Sequence, residues 1–200
     1  NYALRKLNAK IVYYGPGLCG KTTNLQWIHD HFEGGQRGKM ISLSTEGDRT
    51  IFFDLLPLDI GTIRGMQVTL QLYTVPGQVQ YSSTRKLVLK EVDGLVFVAD
   101  SLEVRREKNM LSLKDLHENL KSYGTSIFKV PLVMQYNKRD LEEEGIPLMS
   151  IERMDQDLNR QLKAPHFSAS AITGQGVPQT IMECLKRTLL NLQKQLKWAK

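Results

Sequence analysis

An apolar run, Ile11-Val12-Tyr13-Tyr14, is followed at once by Gly15-Pro16-Gly17-Leu18-Cys19-Gly20-Lys21-Thr22 and then by a helix-forming stretch from Thr23 to Phe32. This order constrains the chain more than any other feature. The eight residues have the form G-x-x-x-x-G-K-[ST], set between a strand and a helix. Successive backbone N–H groups in such a loop make a concave nest for phosphate oxygens. The positive end of the following helix faces the same anion. The loop therefore implies a nucleoside triphosphate held by Gly15, Gly17, Leu18, Cys19, Gly20, Lys21, Thr22 and Thr23. Lys21 is expected to reach the β- and γ-phosphates, and the Thr22 hydroxyl to bind Mg²⁺.

The loop does not choose the base. A second segment does. Val130 to Tyr136 is apolar and ends in Asn137-Lys138-Arg139-Asp140. This resembles the N-K-x-D guanine-recognition box of Ras-like GTPases. Guanine presents two donors, its ring N1–H and exocyclic amine, and Asp140 can accept both. Adenine has no such pair. The long apolar stem of Lys138 can lie along the base. Ligands of open α/β sheets bind at the carboxyl ends of strands, where this tetrapeptide falls. A third segment, Ser168 to Val177, reads SASAITGQGV. In GTPases a short S-A-x loop closes over guanine through backbone N–H groups, and Ser170, Ala171 and Ile172 fit that role.

Two hundred residues suit a single domain, 1–200, with a sizeable core. No apolar run approaches the length of about 18 residues expected of a membrane span, and no signal peptide or lipid-anchor motif is visible. Cys19 and Cys184, the only cysteines, suggest no disulfide framework and suit a reducing cytoplasm. The net charge of +6 raises a nucleic-acid or anionic-lipid surface. The basic residues, among them Arg85, Arg105, Arg106, Lys186 and Arg187, are scattered, and no basic-aromatic motif accompanies them. The favoured reading is solvated helix faces together with a site that must hold a polyphosphate, and no specific nucleic-acid partner.

Periodicity places strands near 9–14, 51–58, 66–75, 94–100, 130–136 and 166–169, and helices near 21–32, 106–123, 150–161 and 177–197. The 51–75 region reads as a hairpin joined through Asp59-Ile60-Gly61 and Arg64-Gly65. Met66, Val68, Leu70 and Leu72 alternate with polar neighbours, as one buried face requires. Gly94 to Asp100 is nearly all apolar, as a strand covered on both sides should be. In the last helix Ile181, Leu185, Leu189, Leu192 and Leu196 fall on one stripe. The fold class is α/β: a mostly parallel central sheet with one antiparallel edge strand and helices on both faces.

The catalytic region is less regular. Where a Ras-like GTPase has D-x-x-G, this chain has Thr74-Val75-Pro76-Gly77. The Gly77 N–H can still meet a γ-phosphate, but a hydroxyl replaces the usual carboxylate near the metal. Gln78 stands where Ras-like enzymes keep the glutamine that orients the attacking water. Upstream, SLSTEGDRTIFFD offers Thr50 as the threonine that joins the metal shell and senses γ-phosphate, with Thr45 as its competitor. Arg49 precedes it and can act in cis as an arginine finger, a device worth about 10³–10⁵ in rate. Asp54 is positioned to supply part of the metal support missing at Thr74.

These segments, KIVYYGPGLCGKTTNLQ, ISLSTEGDRTIFFD, LYTVPGQVQY, DGLVFVADS and YNKRDL, closely resemble the MglA branch of bacterial and archaeal Ras-like GTPases. The Thr in TVPGQ and the Arg before the switch threonine are specific to that branch. The resemblance implies a P-loop GTPase fold and a GTP/GDP molecular switch that hydrolyses GTP slowly. It implies Gln78 and Arg49 as catalytic residues and Thr50 at Mg²⁺, where the loop motif also places Thr22 and the lost carboxylate at Thr74 points to Asp54. It also implies a cytoplasmic polarity and motility role with recruitment to a cell pole. The implied partners are a homodimeric MglB-like roadblock/LC7 protein that stimulates hydrolysis, and effectors that bind the switch regions; alone, the protein is expected to be monomeric. In that family the strand near 51–58 shifts register between states. Three other classes remain: a P-loop kinase or ATPase, a GTP-dependent adaptor without turnover, and an RNA-associated GTPase.

Overall fold

A computed structural model describes residues 5–33, 38–43, 53–63, 65–77 and 81–198. Its centre is a seven-stranded sheet in the order β2-β3-β4-β1-β5-β6-β7. The strands are β1 (Lys6–Tyr14), β2 (Ile41–Leu43), β3 (Phe53–Ile63), β4 (Met66–Thr74), β5 (Gly94–Asp100), β6 (Leu132–Asn137) and β7 (His166–Ser168). β1 pairs in parallel with β4 and β5, and the parallel run continues through β6 to β7. β3 is antiparallel to both β2 and β4, so the expected antiparallel edge is present and the short β2 extends it by one strand.

Alternation decides which face each side chain joins. Along β1, Val12 and Tyr14 enter one core layer while Ala9, Ile11 and Tyr13 enter the other. The first layer is closed by α2 (Ser82–Leu89), α3 (Arg106–Ser122) and α4 (Ile151–Met154), the last continuing as a π turn over Asp155–Asn159. The second is closed by α1 (Lys21–His31) and α5 (Val177–Trp198). All of β5 is buried, as a strand sandwiched between helices must be. β3 and β4 instead alternate buried and half-buried residues.

Three details differ from the sequence reading. β3 continues to Ile63 and β4 begins at Met66; Asp59 to Thr62 is a register shift within β3, where the left-handed Gly61 (φ 84°) sits in the strand. β2 and α2 carry too few apolar residues in too short a span to stand out by periodicity. On α5 the most buried positions are Val177, Thr180, Cys184 and Thr188, with Ile181, Leu185 and Leu192 flanking them. Small side chains win there because α5 crosses β5 at Gly94, where a Cβ would meet Thr188 Oγ1 at 2.1 Å. Leu196 lies outside the described side chains.

The consequence for function is directional. Parallel strands present their carboxyl ends on one side, so Gly15, Thr74, Asp100, Asn137 and Ser168 all emerge along one edge of the sheet.

Candidate functional site

The loop leaving β1 wraps the start of α1. Gly20 caps that helix in the left-handed region (φ 99°), and a Cβ there would lie 2.3 Å from Asn137 Nδ2. Only glycine fits both demands. Lys21 is buried, and its ammonium donates to the Gly15 and Pro16 carbonyls at 3.0 and 2.7 Å. The cation thus lies folded back along the loop whose N–H groups form the nest. Burial pushes the Cys19 thiol up, against the pull of Lys21, so no thiolate charge opposes an anion. Thr22 and Thr23 begin α1, and Leu18 stands exposed.

A row of oxygens lies beside the loop. Asp54 on β3 is buried and accepts from Thr22 Oγ1 at 2.7 Å, Ser42 Oγ at 2.7 Å and Thr74 Oγ1 at 2.8 Å. Its own N–H donates to Thr74 Oγ1 at 2.9 Å. Three strands and one helix start therefore meet at one carboxylate. Among the described residues no group of three or more His, Cys, Asp or Glu side chains gathers to hold a metal. One carboxylate with hydroxyls, completed by water and substrate phosphates, is how Mg²⁺ is commonly held. The donor set around Asp54 fits that ion and no soft metal.

Gly77 closes the loop from the other side. A Cβ on it would fall 2.2 Å from Gly17 N, so only a glycine brings this backbone so near the nest. A cleft of about 1310 Å³ runs from the loop and Asp54 past Gly77 toward α3.

At the other end of the edge, Asn137 joins the two remaining segments. Its Nδ2 donates to the Cys19 carbonyl at 2.7 Å and its Oδ1 accepts from Ala171 N–H at 2.8 Å. Ser170 and Ala171 are buried under it, while Ile172 is exposed. Ser170 Oγ accepts from Thr173 N–H at 3.2 Å, which sets the turn. Lys138 adopts φ 70° and its ammonium donates to Asp100 Oδ2 at 2.7 Å. Asp140 lies half-buried in the turn that follows. The phosphate loop, the N-K-R-D segment and the S-A-I loop are thus bonded into one structure.

The structure adds residues that the sequence reading left out. Asp100, wholly buried, closes β5 and carries Lys138; a lone acid ending an apolar strand at this edge was the available signal. Arg85 and Arg105, among the scattered basic residues of the sequence, both line the cleft. Arg85 is buried and binds Asp115 of α3 at 2.8 Å, where Tyr14 also donates to that carboxylate. Burial, then the Asp115 bond, pushes the Tyr14 phenol up. No sequence pattern announces such pairs. Arg49, Thr50, Gln78 and Thr45 lie outside the described residues.

Comparison with known proteins agrees with this geometry. The Ras family matches residues 10–190. The chain belongs to the Ras family. Among its relatives, the mutual gliding-motility protein MglA of Myxococcus xanthus is 53% identical over 97% of this chain and 97% of its own. ADP-ribosylation factor-related protein 1 of Rattus norvegicus is 24% identical over 96% of this chain and 91% of its own. ADP-ribosylation factor-like protein 2 of Arabidopsis thaliana is 27% identical over 65% and 69%. A Ras-family chain is a small GTPase, and the likeness to MglA covers 97% of each protein. Among the described residues no helix is long and apolar enough to cross a membrane.

Proposed function

We propose that this protein, as one G domain, is a GTP/GDP switch of the MglA kind, hydrolysing GTP slowly by itself and faster with a homodimeric roadblock partner. The observation that carries the reading is the Asn137 side chain, which bonds the phosphate loop to the base-side loop across one sheet edge. Asp140 accepts from guanine, and Ser170 to Ile172 cover the base. Lys21 turns from the loop carbonyls to the phosphates when they occupy the nest. Thr22, Asp54 and Thr50 would hold Mg²⁺, which would supply charge neutralisation for the phosphates. Gln78 orients the water that attacks the γ-phosphorus, and Arg49 neutralises the charge that develops as the bond to GDP breaks.

Switching follows from what the γ-phosphate touches. Thr50 and Gly77 sense it, and their loss on hydrolysis releases the flanking segments. The half-buried β3 suits a register shift. A slip by two residues keeps its apolar side inward while removing Asp54 from Thr22 and Thr74. Likeness to a gliding-motility protein favours a role in polarity and motility, with recruitment to a pole by partners.

The test is single-turnover GTP hydrolysis, alone and with a homodimeric roadblock protein from the same genome. Slow turnover alone with a large acceleration is expected. Arg49→Ala should keep GTP binding and lose most of the acceleration, about 10³-fold or more. Tight binding with no turnover in either condition would make the protein a nucleotide-gated adaptor instead.

A further inference from the structure

Leu18 is a non-glycine residue at φ 66° in the middle of the phosphate loop. Its side chain is 86% exposed, so packing does not hold it there. A residue with a Cβ avoids this region and keeps it only when its surroundings over-determine the conformation. The determining contact is on the preceding peptide. Arg105, in the turn before α3, donates from Nη2 to the Gly17 carbonyl. Its Nε lies 3.5 Å from Asp100 Oδ2.

Asp100 is itself immovable. It is wholly buried. Its N–H donates to Asn109 Oδ1 at 2.9 Å and its carbonyl accepts from Asn109 Nδ2 at 2.8 Å. Its carboxylate accepts from Leu102 N–H at 3.2 Å and from Lys138 at 2.7 Å. An anchored anion thus holds the guanidinium, and the guanidinium holds the loop carbonyl.

We propose that Arg105 is a positioning residue for nucleotide phosphates: by fixing the Gly17 carbonyl it holds Leu18 left-handed and turns the Leu18 N–H into the nest. The inference rests on the nucleotide reading of the loop. In a trans peptide the carbonyl and the following N–H point in opposite directions. Drawing Gly17 O toward Arg105 therefore aims Leu18 N–H away from it, into the loop. Arginine suits the task because its planar fork meets a carbonyl and a carboxylate together, whereas lysine brings one point charge. Because Asp100 also carries Lys138, one buried anion sets both the phosphate loop and the base-side lysine.

The experiment is release of N-methylanthraniloyl-GDP from the full chain with Mg²⁺ present. Arg105→Gln should release it about tenfold faster, the loss of one charge-assisted hydrogen bond's worth of positioning. Arg105→Lys should fall between the two. Adding Leu18→Gly to Arg105→Gln should restore release to within about threefold of the parent, because glycine takes the left-handed conformation unaided. A merely structural role for Arg105 would not be rescued this way. Parent-like release from Arg105→Gln, or no rescue by Leu18→Gly, would overturn this inference alone. If Arg105→Gln does not fold, Arg105→Lys with and without Leu18→Gly makes the same comparison. Failure of the unsubstituted protein to retain the GDP analogue would instead sink the nucleotide reading on which it rests.

Discussion

The two ends of the nucleotide edge are built on different principles. At the base end, Asn137 closes a strand whose every residue is buried, beside the fully buried β5. Its side chain is shared between two backbone groups from segments far apart in sequence. At the phosphate and metal end, Asp54 and Thr74 stand on strands only half buried, one of them carrying a register shift. At Asp54 three bonds run from hydroxyls to its carboxylate, beside one from its own N–H to Thr74 Oγ1. Removing a backbone partner from a buried amide leaves an unsatisfied group, whereas a hydroxyl can turn to water or to a ligand. One end is therefore costly to rearrange and the other cheap. The proposed switch uses both: a base end that stays the same in each state and a phosphate end that does not.

The largest effect should come from the base end. Asn137→Ala leaves the Cys19 carbonyl and Ala171 N–H without partners, each costing about 1–3 kcal/mol. GDP and GTP affinity should fall together by at least about a hundredfold, since neither state can avoid the loss. Calorimetric titration with each nucleotide checks this; a loss confined to GTP would erase the distinction between the two ends.

The metal end should respond selectively. Asp54→Asn removes the carboxylate that the hydroxyls share and should weaken binding of a non-hydrolysable GTP analogue about ten- to a hundredfold in Mg²⁺. Without Mg²⁺, GDP binding should change little. Equal losses for GDP without metal would mean that Asp54 holds the fold rather than the ion.

The smallest effect concerns the scaffold behind the base end. Burial pushes the Cys184 thiol from 9.0 up to about 12. The fold keeps this thiol protonated over a range in which the unfolded chain ionises. The unfolded state then binds fewer protons, so stability falls as pH rises between about 9 and 12. Cys184→Ala should flatten the decline of Tm with pH above 9, read by thermal melts across that range. An unchanged slope would show that the rigid end is not sealed there.

The base end was also the more legible in the sequence. Strong local patterns, a mostly apolar strand followed by N-K-R-D, need no partner to be recognised, because burial on both faces dictates composition directly. Asp54 was readable only as compensation for Thr74, and the structure places the two in hydrogen-bond contact. Ser42 could not be read at all, because cross-strand neighbours are set by register and not by sequence distance. Arg85 and Arg105 could not be told from the other basic residues for the same reason: a lone arginine carries no mark of the carboxylate it will meet.

The sequence by itself determined the strand-loop-helix of the G-x-x-x-x-G-K-T loop, the N-K-R-D tetrapeptide at a strand end, the alternation that builds a mostly parallel sheet, and membership of the Ras family. Those features depend on neighbours along the chain, where spacing, backbone conformation and side-chain period are written residue by residue. Only the tertiary structure decided that Asp54 gathers three hydroxyls, that Asn137 ties the phosphate loop to the base-side loop, and that Asp100 and Arg105 hold the loop from behind. Each of those contacts joins residues brought together by sheet order and helix packing, and a hydrogen bond is decided by ångströms that no local pattern carries.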